Sequence, residues 1–115
     1  PDFCSQAFFD DCEEILKYEG VFAINLWGSD KNFDVYLQRI EQSFQQQVLM
    51  MPTGKPGNIV VFGLKQDKPI KLAHLRERAL ALSSQFNIDF NDLVERLCAH
   101  NPHNKLQFNL GRPDA

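Results

Sequence analysis

The sequence predicts an α/β fold in which one buried strand packs between amphipathic helices. Residues 21–26 form an apolar run in which five of six residues are apolar and do not alternate with polar ones, and Gly20 and Gly28 flank it. Such a run is typical of a strand buried on both faces. The segments on either side carry apolar residues at three- and four-residue spacing, which is typical of helices. A second run, Asn58–Leu64, predicts another strand.

Length and composition indicate a single domain with its own core and argue against several kinds of partner. The chain has 115 residues, 43% of them hydrophobic, which is enough for one core. Its net charge of −3, without long charged blocks, argues against binding nucleic acid or an anionic membrane. No apolar run is long enough to span a membrane. The cysteines Cys4, Cys12 and Cys98 lack metal-ligand spacing, so we expect buried, reduced thiols in a cytoplasmic protein.

The first predicted element is an amphipathic helix over residues 5–17. Ser5 is suited to cap its N-terminus, and Gly20 is suited to a left-handed position between the helix and the strand. The apolar face of this helix consists of Phe8, Phe9, Cys12, Ile15 and Leu16.

A second helix is predicted over about residues 30–44, with Asp30 as its N-cap. Residues 45–47 are all glutamine and are expected to form a solvated helix end. Residues 48–51 are apolar, and residues 52–57 are rich in Pro and Gly. This turn-rich segment between two apolar runs predicts an antiparallel hairpin with a long loop.

The last third of the chain predicts two helices that form a hairpin. Pro69 is suited to the first position of the earlier helix, and Asp89 to the N-cap of the later one. Residues 101–115 show little periodicity and are expected to be extended or mobile. The apolar stripes are Leu72, Leu75, Ala79, Leu82 and Phe86 in the earlier helix and Phe90, Leu93, Val94, Leu97 and Cys98 in the later one.

No catalytic triad, metal cluster or phosphate-binding loop can be assembled from the sequence. His74, His100 and His103 are more simply interpreted as surface residues than as ligands. Lys55 lies between Gly and Pro, but the surrounding loop lacks the strand-to-helix context of a P-loop, so an ordinary hairpin turn is favoured.

Two residues near the end of the first strand are candidates for ligand binding. Asn25 places a polar amide in a strand predicted to be buried, where it needs a hydrogen-bond partner. It therefore either holds a neighbouring loop or faces a ligand, and we weigh these alternatives equally. Trp27 forms either a wall of the same pocket or an aromatic plug between helix and sheet. Ligands of open α/β sheets lie beyond the carboxyl ends of the strands, which is where Asn25 and Trp27 are expected to lie.

Three segments resemble a known family: residues 3–9 with Cys12 and Leu16, residues 20–26, and residues 56–62. Over residues 1–64 the chain resembles the C-terminal half of the spermidine synthase (polyamine aminopropyltransferase) family. The resemblance implies a Rossmann-like sheet of strand order 3-2-1-4-5-7-6. Residues 21–26 would form its fifth strand, residues 48–51 its sixth and Asn58–Leu64 its seventh, inserted between them. Residues 67–100 would then be a helical hairpin extension and residues 101–115 a tail.

The resemblance implies transfer of an aminopropyl group from decarboxylated S-adenosylmethionine to putrescine or a related amine. The family's donor-binding turn and catalytic Asp motif lie in the half that would precede Pro1. We therefore expect a piece of a longer protein that binds no cofactor and is inactive alone. Asn25 stands where the family commonly has Gln, and Gly54 where it commonly has Tyr. The expected substrate-binding residues are Asn25, Trp27, Pro52, Thr53 and Gly54, with no catalytic residue and no metal site.

Two other functions compete with this one. A methyltransferase that uses ordinary S-adenosylmethionine shares the fold and differs in the missing half. A non-catalytic self-association module would use the open edge of the first strand to pair with another copy. A homo-oligomer, such as a dimer, is expected in either the transferase or the self-association case.

Overall fold

The computed structural model describes residues 2–66, 70–101 and 107–108, and it confirms an α/β chain. Three strands form one sheet with helices on both faces, and two very short strands pair separately. In chain order the elements are a 3-10 helix (Asp2–Cys4), α1 (Gln6–Ile15), β1 (Val21–Trp27), α2 (Phe33–Ser43), β2 (Val48–Pro52), β3 (Asn58–Leu64), β4 (Ile70–Lys71), α3 (Leu72–Phe86), α4 (Phe90–His100) and β5 (Gln107–Phe108). None of the described helices is long and apolar enough to cross a membrane.

The main sheet has the strand order β1-β3-β2, and β3 runs antiparallel to both of its neighbours. The predicted hairpin is confirmed, since β2 and β3 pair directly across the Pro- and Gly-rich loop. β1 is not part of a hairpin. Its partner β3 follows it in the chain only after α2 and β2.

One face of the sheet is packed by α1 and α2, and we call it the closed face. Its centre is fully buried, with Phe9, Ile40 and Val61 each at 0% exposure. Phe44 stacks on Phe22 with ring centroids 5.6 Å apart. It also lies directly on Gly63, where an added Cβ would sit 2.7 Å from the Phe44 ring. The closed face is therefore filled, and β3 needs a glycine there.

The second face is covered only in part. The α3–α4 hairpin packs on β2 and β3, which confirms the predicted helical hairpin and shows that it lies against the sheet. The buried residues of this contact are Leu49, Leu64, Leu72, Ala79 and Val94. Over β1 the same face is exposed. We call its four exposed residues the open face: Val21, Ala23, Asn25 and Trp27.

The prediction that β1 is buried on both faces is therefore wrong for the described chain. Successive side chains of a strand point to opposite faces, and only Phe22, Ile24 and Leu26 point toward α1 and α2. The strand also extends one residue further than predicted, so Trp27 is its last residue.

The capping predictions have mixed outcomes. Ser5 caps α1 as predicted, accepting a hydrogen bond from the Phe8 N–H at 3.1 Å. Asp89 likewise caps α4. Gly20, however, is not the left-handed residue after α1, because Glu19 takes that conformation with φ 69°. Gly20 instead lies so close to the end of α1 that a side chain would not fit, since an added Cβ would lie 2.7 Å from the Lys17 carbonyl oxygen.

Two predicted helix starts are also wrong. Asp30 is not the N-cap of α2: its carboxylate accepts from the Asn32 N–H in the preceding turn, and the helix begins at Phe33. α3 begins at Leu72, because Ile70 and Lys71 pair with β5 as a strand and so cannot extend the helix. Pro69 itself lies outside the described residues.

Other burial predictions also differ from the structure. The prediction that Gln47 is solvated is wrong: the residue is 2% exposed, and its side chain accepts a hydrogen bond from the Gln66 N–H. All three cysteines are free, as predicted, but only half-buried. Phe86 ends the predicted stripe of α3 yet is exposed, whereas Leu72 and Ala79 of the same stripe lie in the core.

Candidate functional site

The predicted site residues lie at one end of the main sheet, where β1 and β2 end and β3 begins. Trp27 pairs with Asn58, and Asn25 pairs with Val60 two residues further along β3. Because side chains alternate along a strand, Asn25 and Trp27 lie on the same face and are adjacent on it. The structure thus brings these two predicted residues together on the open face.

The reason for singling out Asn25 changes in the structure. A buried amide would need a hydrogen-bond partner, but the Asn25 side chain is exposed. No desolvation cost therefore forces it to bind a neighbouring loop. Its carbonyl oxygen and its two N–H donors face the space above β1, where a ligand or another part of the protein can reach them.

Trp27 is 60% exposed and is held against the hairpin loop. Its ring covers Gly57, where an added Cβ would lie 2.9 Å from the ring atom Cε3. The Gly28 N–H donates to the Gly57 carbonyl at 2.6 Å, which fixes the two segments side by side. Trp27 is therefore not a plug between helix and sheet. Its ring lies on the open face of the sheet against the loop.

The loop itself is a closed turn. The Thr53 N–H donates to the Asn58 carbonyl at 3.1 Å, and the Lys55 N–H donates to the Thr53 hydroxyl at 3.4 Å. Gly54 has φ 89°, and no heavy atom lies within 4 Å of the position that its Cβ would occupy. Lys55 is an exposed residue of an ordinary turn, as the sequence indicated.

Pro52 is the one predicted site residue that the structure separates from the others. It pairs with Ile59, which also pairs with Leu26 of the closed face. Paired residues share a face, so the Pro52 ring lies on the side opposite Asn25 and Trp27. Its carbonyl oxygen instead accepts a hydrogen bond from the Arg96 guanidinium at 2.8 Å.

Sequence reasoning missed a polar contact between α4 and β2. The Asn101 side chain is 2% exposed and bonds to both backbone groups of Met50. The sequence placed Asn101 in an extended tail, yet it is the C-cap of α4. An Asn followed by Pro at the end of a periodic segment is a recognised helix stop, and that signal was available.

Two cavities lie elsewhere in the described part of the chain. One, of about 130 Å³, is polar and is lined by residues that include Glu13, Tyr18 and Lys65. The Lys65 ammonium in this cavity already has partners in the protein, because it donates to the Glu13 and Leu16 carbonyls at 2.8 Å. The other, of about 190 Å³, is apolar and lies between the α3–α4 hairpin and the sheet, with Val21 at its border. Neither cavity is lined by a predicted site residue.

The described residues do not form a nucleophilic or metal centre. No group of three metal-ligating side chains is present among them. Burial, and then the neighbouring Asp11 carboxylate, raise the pKa of the Cys12 thiol, which keeps it protonated and unreactive at neutral pH. His74 and His100 are exposed. The site therefore offers an amide, an indole and a loop, which suit holding a ligand.

Comparison with known proteins gives significant matches among the polyamine aminopropyltransferases. The chain is 32% identical over 106 residues to the polyamine aminopropyltransferases of two Neisseria meningitidis strains, one of serogroup A and one of serogroup B. It is also 32% identical over 94 residues to the Chromobacterium violaceum polyamine aminopropyltransferase. The Neisseria matches cover 91% of this chain, so homology to these proteins is established.

The matches cover much less of the relatives themselves. The chain spans 40% of the length of the Neisseria proteins and 36% of the Chromobacterium protein. No protein-family model matches the chain. No solved structure matches it significantly.

Proposed function

We propose that this chain is the C-terminal part of the Rossmann-like catalytic domain of a polyamine aminopropyltransferase and supplies one wall of its active site. The observation that carries the proposal is the 32% identity to such proteins over 91% of the chain. The chain spans 40% of those relatives, so most of the catalytic machinery would come from other residues.

The strand order supports this placement. β3 lies between β1 and β2 and is antiparallel to both. In the sheet that the resemblance implies, the seventh strand is likewise inserted between the fifth and the sixth. The three strands of this chain then correspond to the fifth, seventh and sixth, and the missing fourth strand would lie beside β1.

The backbone of β1 is suited to such a neighbour. The Gly28 N–H bonds to the Gly57 carbonyl, and the Lys65 N–H bonds to the Gly20 carbonyl. The even-numbered residues from 20 to 28 therefore direct their backbone N–H and C=O groups toward β3. Alternate residues direct their N–H and C=O groups to opposite sides of a strand. Residues 21, 23 and 25 therefore direct theirs to the outer edge, where another strand would pair.

In this proposal Asn25, Trp27 and the hairpin loop hold the acceptor amine. The amine attacks the carbon next to the sulfonium sulfur of decarboxylated S-adenosylmethionine. A C–N bond forms as the C–S bond breaks, and the sulfur leaves as a neutral thioether. A base removes the proton of the new ammonium, and positioning of the two substrates supplies much of the rate. The Asn25 amide oxygen accepts a hydrogen bond from the amine, and Trp27 contacts its methylene chain.

The decisive experiment is a pair of binding titrations of the intact protein, one with decarboxylated and one with ordinary S-adenosylmethionine. Tighter binding of the decarboxylated compound supports the aminopropyltransferase. Tighter binding of the ordinary compound would identify the methyltransferase alternative and overturn the proposal.

A variant series tests the role of Asn25. In the intact protein we expect Asn25→Ala to raise the KM for the acceptor amine about tenfold, the equivalent of one hydrogen bond. Asn25→Gln keeps the amide and should recover much of the loss, while Gln38→Ala, at an exposed position on α2, should have no effect. An unchanged acceptor KM in Asn25→Ala would exclude this role.

The exposed edge and face of β1 also favour a second candidate, the self-association module. A strand edge that carries no charged side chain from residue 20 to residue 28 is a template for pairing with another copy. Light scattering of the 115-residue chain distinguishes the two. A monomer argues against the module, and a stable dimer whose β1 amides are protected from hydrogen exchange supports it.

A further inference from the structure

The outer edge of β2 is the opposite boundary of the sheet from β1. The Leu64 N–H bonds to the Gln47 carbonyl, so Gln47 faces β3, and by alternation Leu49 and Met51 do so as well. Met50 and Pro52 therefore direct their backbone groups outward, away from β3. An exposed edge of this kind would pair with a strand of another chain.

The side chain of Asn101 occupies this edge at Met50. Its Oδ1 accepts from the Met50 N–H at 3.1 Å, and its Nδ2 donates to the Met50 carbonyl at 2.9 Å. The same Nδ2 donates to the Leu97 carbonyl at 2.8 Å, which fixes the amide to the end of α4. One amide thus makes the pair of hydrogen bonds that one residue of a neighbouring strand would make.

The next outward residue along the edge is covered in the same way. Pro52 has no N–H, so its carbonyl is its one backbone group that can bond, and Arg96 donates to it at 2.8 Å. Arg96 is also 4.0 Å from the Asp92 carboxylate one turn earlier on α4. Two successive outward residues of β2 are therefore saturated by side chains of the helical hairpin.

We propose that Asn101 and Arg96 form an edge guard that closes β2 to strand addition, so that this sheet can be extended only at β1. This assigns a role to the α3–α4 hairpin and does not depend on the proposed catalytic function. At Met50 the guard acts by occupying hydrogen-bonding groups and not by charge repulsion, since the Asn101 amide carries no charge.

The test is Asn101→Ala in the full chain, followed by hydrogen exchange at single residues and by light scattering. We expect the Met50 amide to exchange about tenfold faster or more at low protein concentration, because it loses its one acceptor. The Leu49 and Met51 amides bond to β3 and should exchange at an unchanged rate. At high concentration the variant should self-associate, with the Met50 amide protected again.

His100→Ala is the matched control, since His100 is exposed and adjacent to Asn101. It should leave both exchange and association unchanged. Arg96→Gln is a second variant, which leaves no cavity in the core because Arg96 is only half-buried. It should increase self-association less than Asn101→Ala does. Unchanged exchange of Met50 in Asn101→Ala would overturn the proposal. Faster exchange without any association in either variant would also overturn it, because Asn101 would then only tie the helix to the sheet.

Discussion

The two faces of the main sheet differ in how completely this chain covers them. On the closed face, α1 and α2 lie over all three strands, and Phe9, Ile40 and Val61 are fully buried. On the other face, the α3–α4 hairpin covers β2 and β3 but leaves the open face of β1 exposed. Each face thus carries a cluster of buried residues, but only the closed face is covered over all three strands. Over β1 the other face presents surface for contacts that the described residues do not make.

The largest expected difference between the faces is in stability. Phe44→Ala removes a ring that is 2% exposed, stacks on Phe22 and covers Gly63, so it should lower the free energy of unfolding by about 3 to 5 kcal/mol. Trp27→Ala removes a larger ring that is 60% exposed, and it should cost about 1 kcal/mol or less. Urea unfolding followed by circular dichroism measures both.

Similar losses of stability in Phe44→Ala and Trp27→Ala would contradict the difference between the closed face and the open face. A large loss in Trp27→Ala would mean that the open face is covered in the chain in solution, for example by a second copy. Repeating the Trp27→Ala measurement at several protein concentrations separates that case from the monomer.

A smaller effect is expected in the hairpin loop, where two glycines with positive φ allow a matched test. Gly54→Ala introduces backbone strain alone, at about 1 kcal/mol, since nothing lies near the added Cβ. Gly57→Ala has similar strain and also brings its Cβ to 2.9 Å from the Trp27 ring, so it should cost clearly more. It should also move the indole and change its fluorescence. Equal losses and an unchanged spectrum would show that the loop does not position Trp27.

The smallest effect is a pH dependence on the closed side of the sheet. Burial and Asp11 raise the pKa of the Cys12 thiol, so the folded state holds this proton more tightly than the unfolded state does. The resulting stabilisation is full below the unfolded pKa and is lost as the pH rises through the folded pKa. Cys12→Ser should therefore reduce the fall in stability between about pH 7 and about pH 10, measured by urea unfolding. An identical fall in both proteins would contradict this assignment.

The sequence predicted the order of the main helices and strands because each helix has apolar residues at three- and four-residue spacing and each main-sheet strand is a short apolar run next to turn-forming residues. The stripe of Phe8, Phe9 and Cys12 identifies α1, and the Pro- and Gly-rich segment between two apolar runs identifies the β2–β3 hairpin. Both signals are local. They need no knowledge of what packs on the sheet.

The errors arise where the outcome depends on distant residues. An apolar run such as that of β1 does not tell whether the second face is covered within the same chain, which is why the predicted burial of Asn25 is wrong. The Asn-Pro pair at residues 101–102 indicates a helix end, but it does not reveal the contact of Asn101 with Met50, which lies 51 positions earlier. The predicted site residues Asn25 and Trp27 lie together as their spacing suggests, whereas Pro52 differs from them because the register of β2 against β3 places it on the other face.

Trp27 is the only tryptophan of the 115 residues, and it lies on the open face against Gly57. Its emission therefore reports on this one surface without any added label. In water an indole emits at longer wavelength than in an apolar contact, so covering the open face should shift the spectrum to the blue. The chain thus carries its own optical reporter for a bound amine, a neighbouring strand or a second copy.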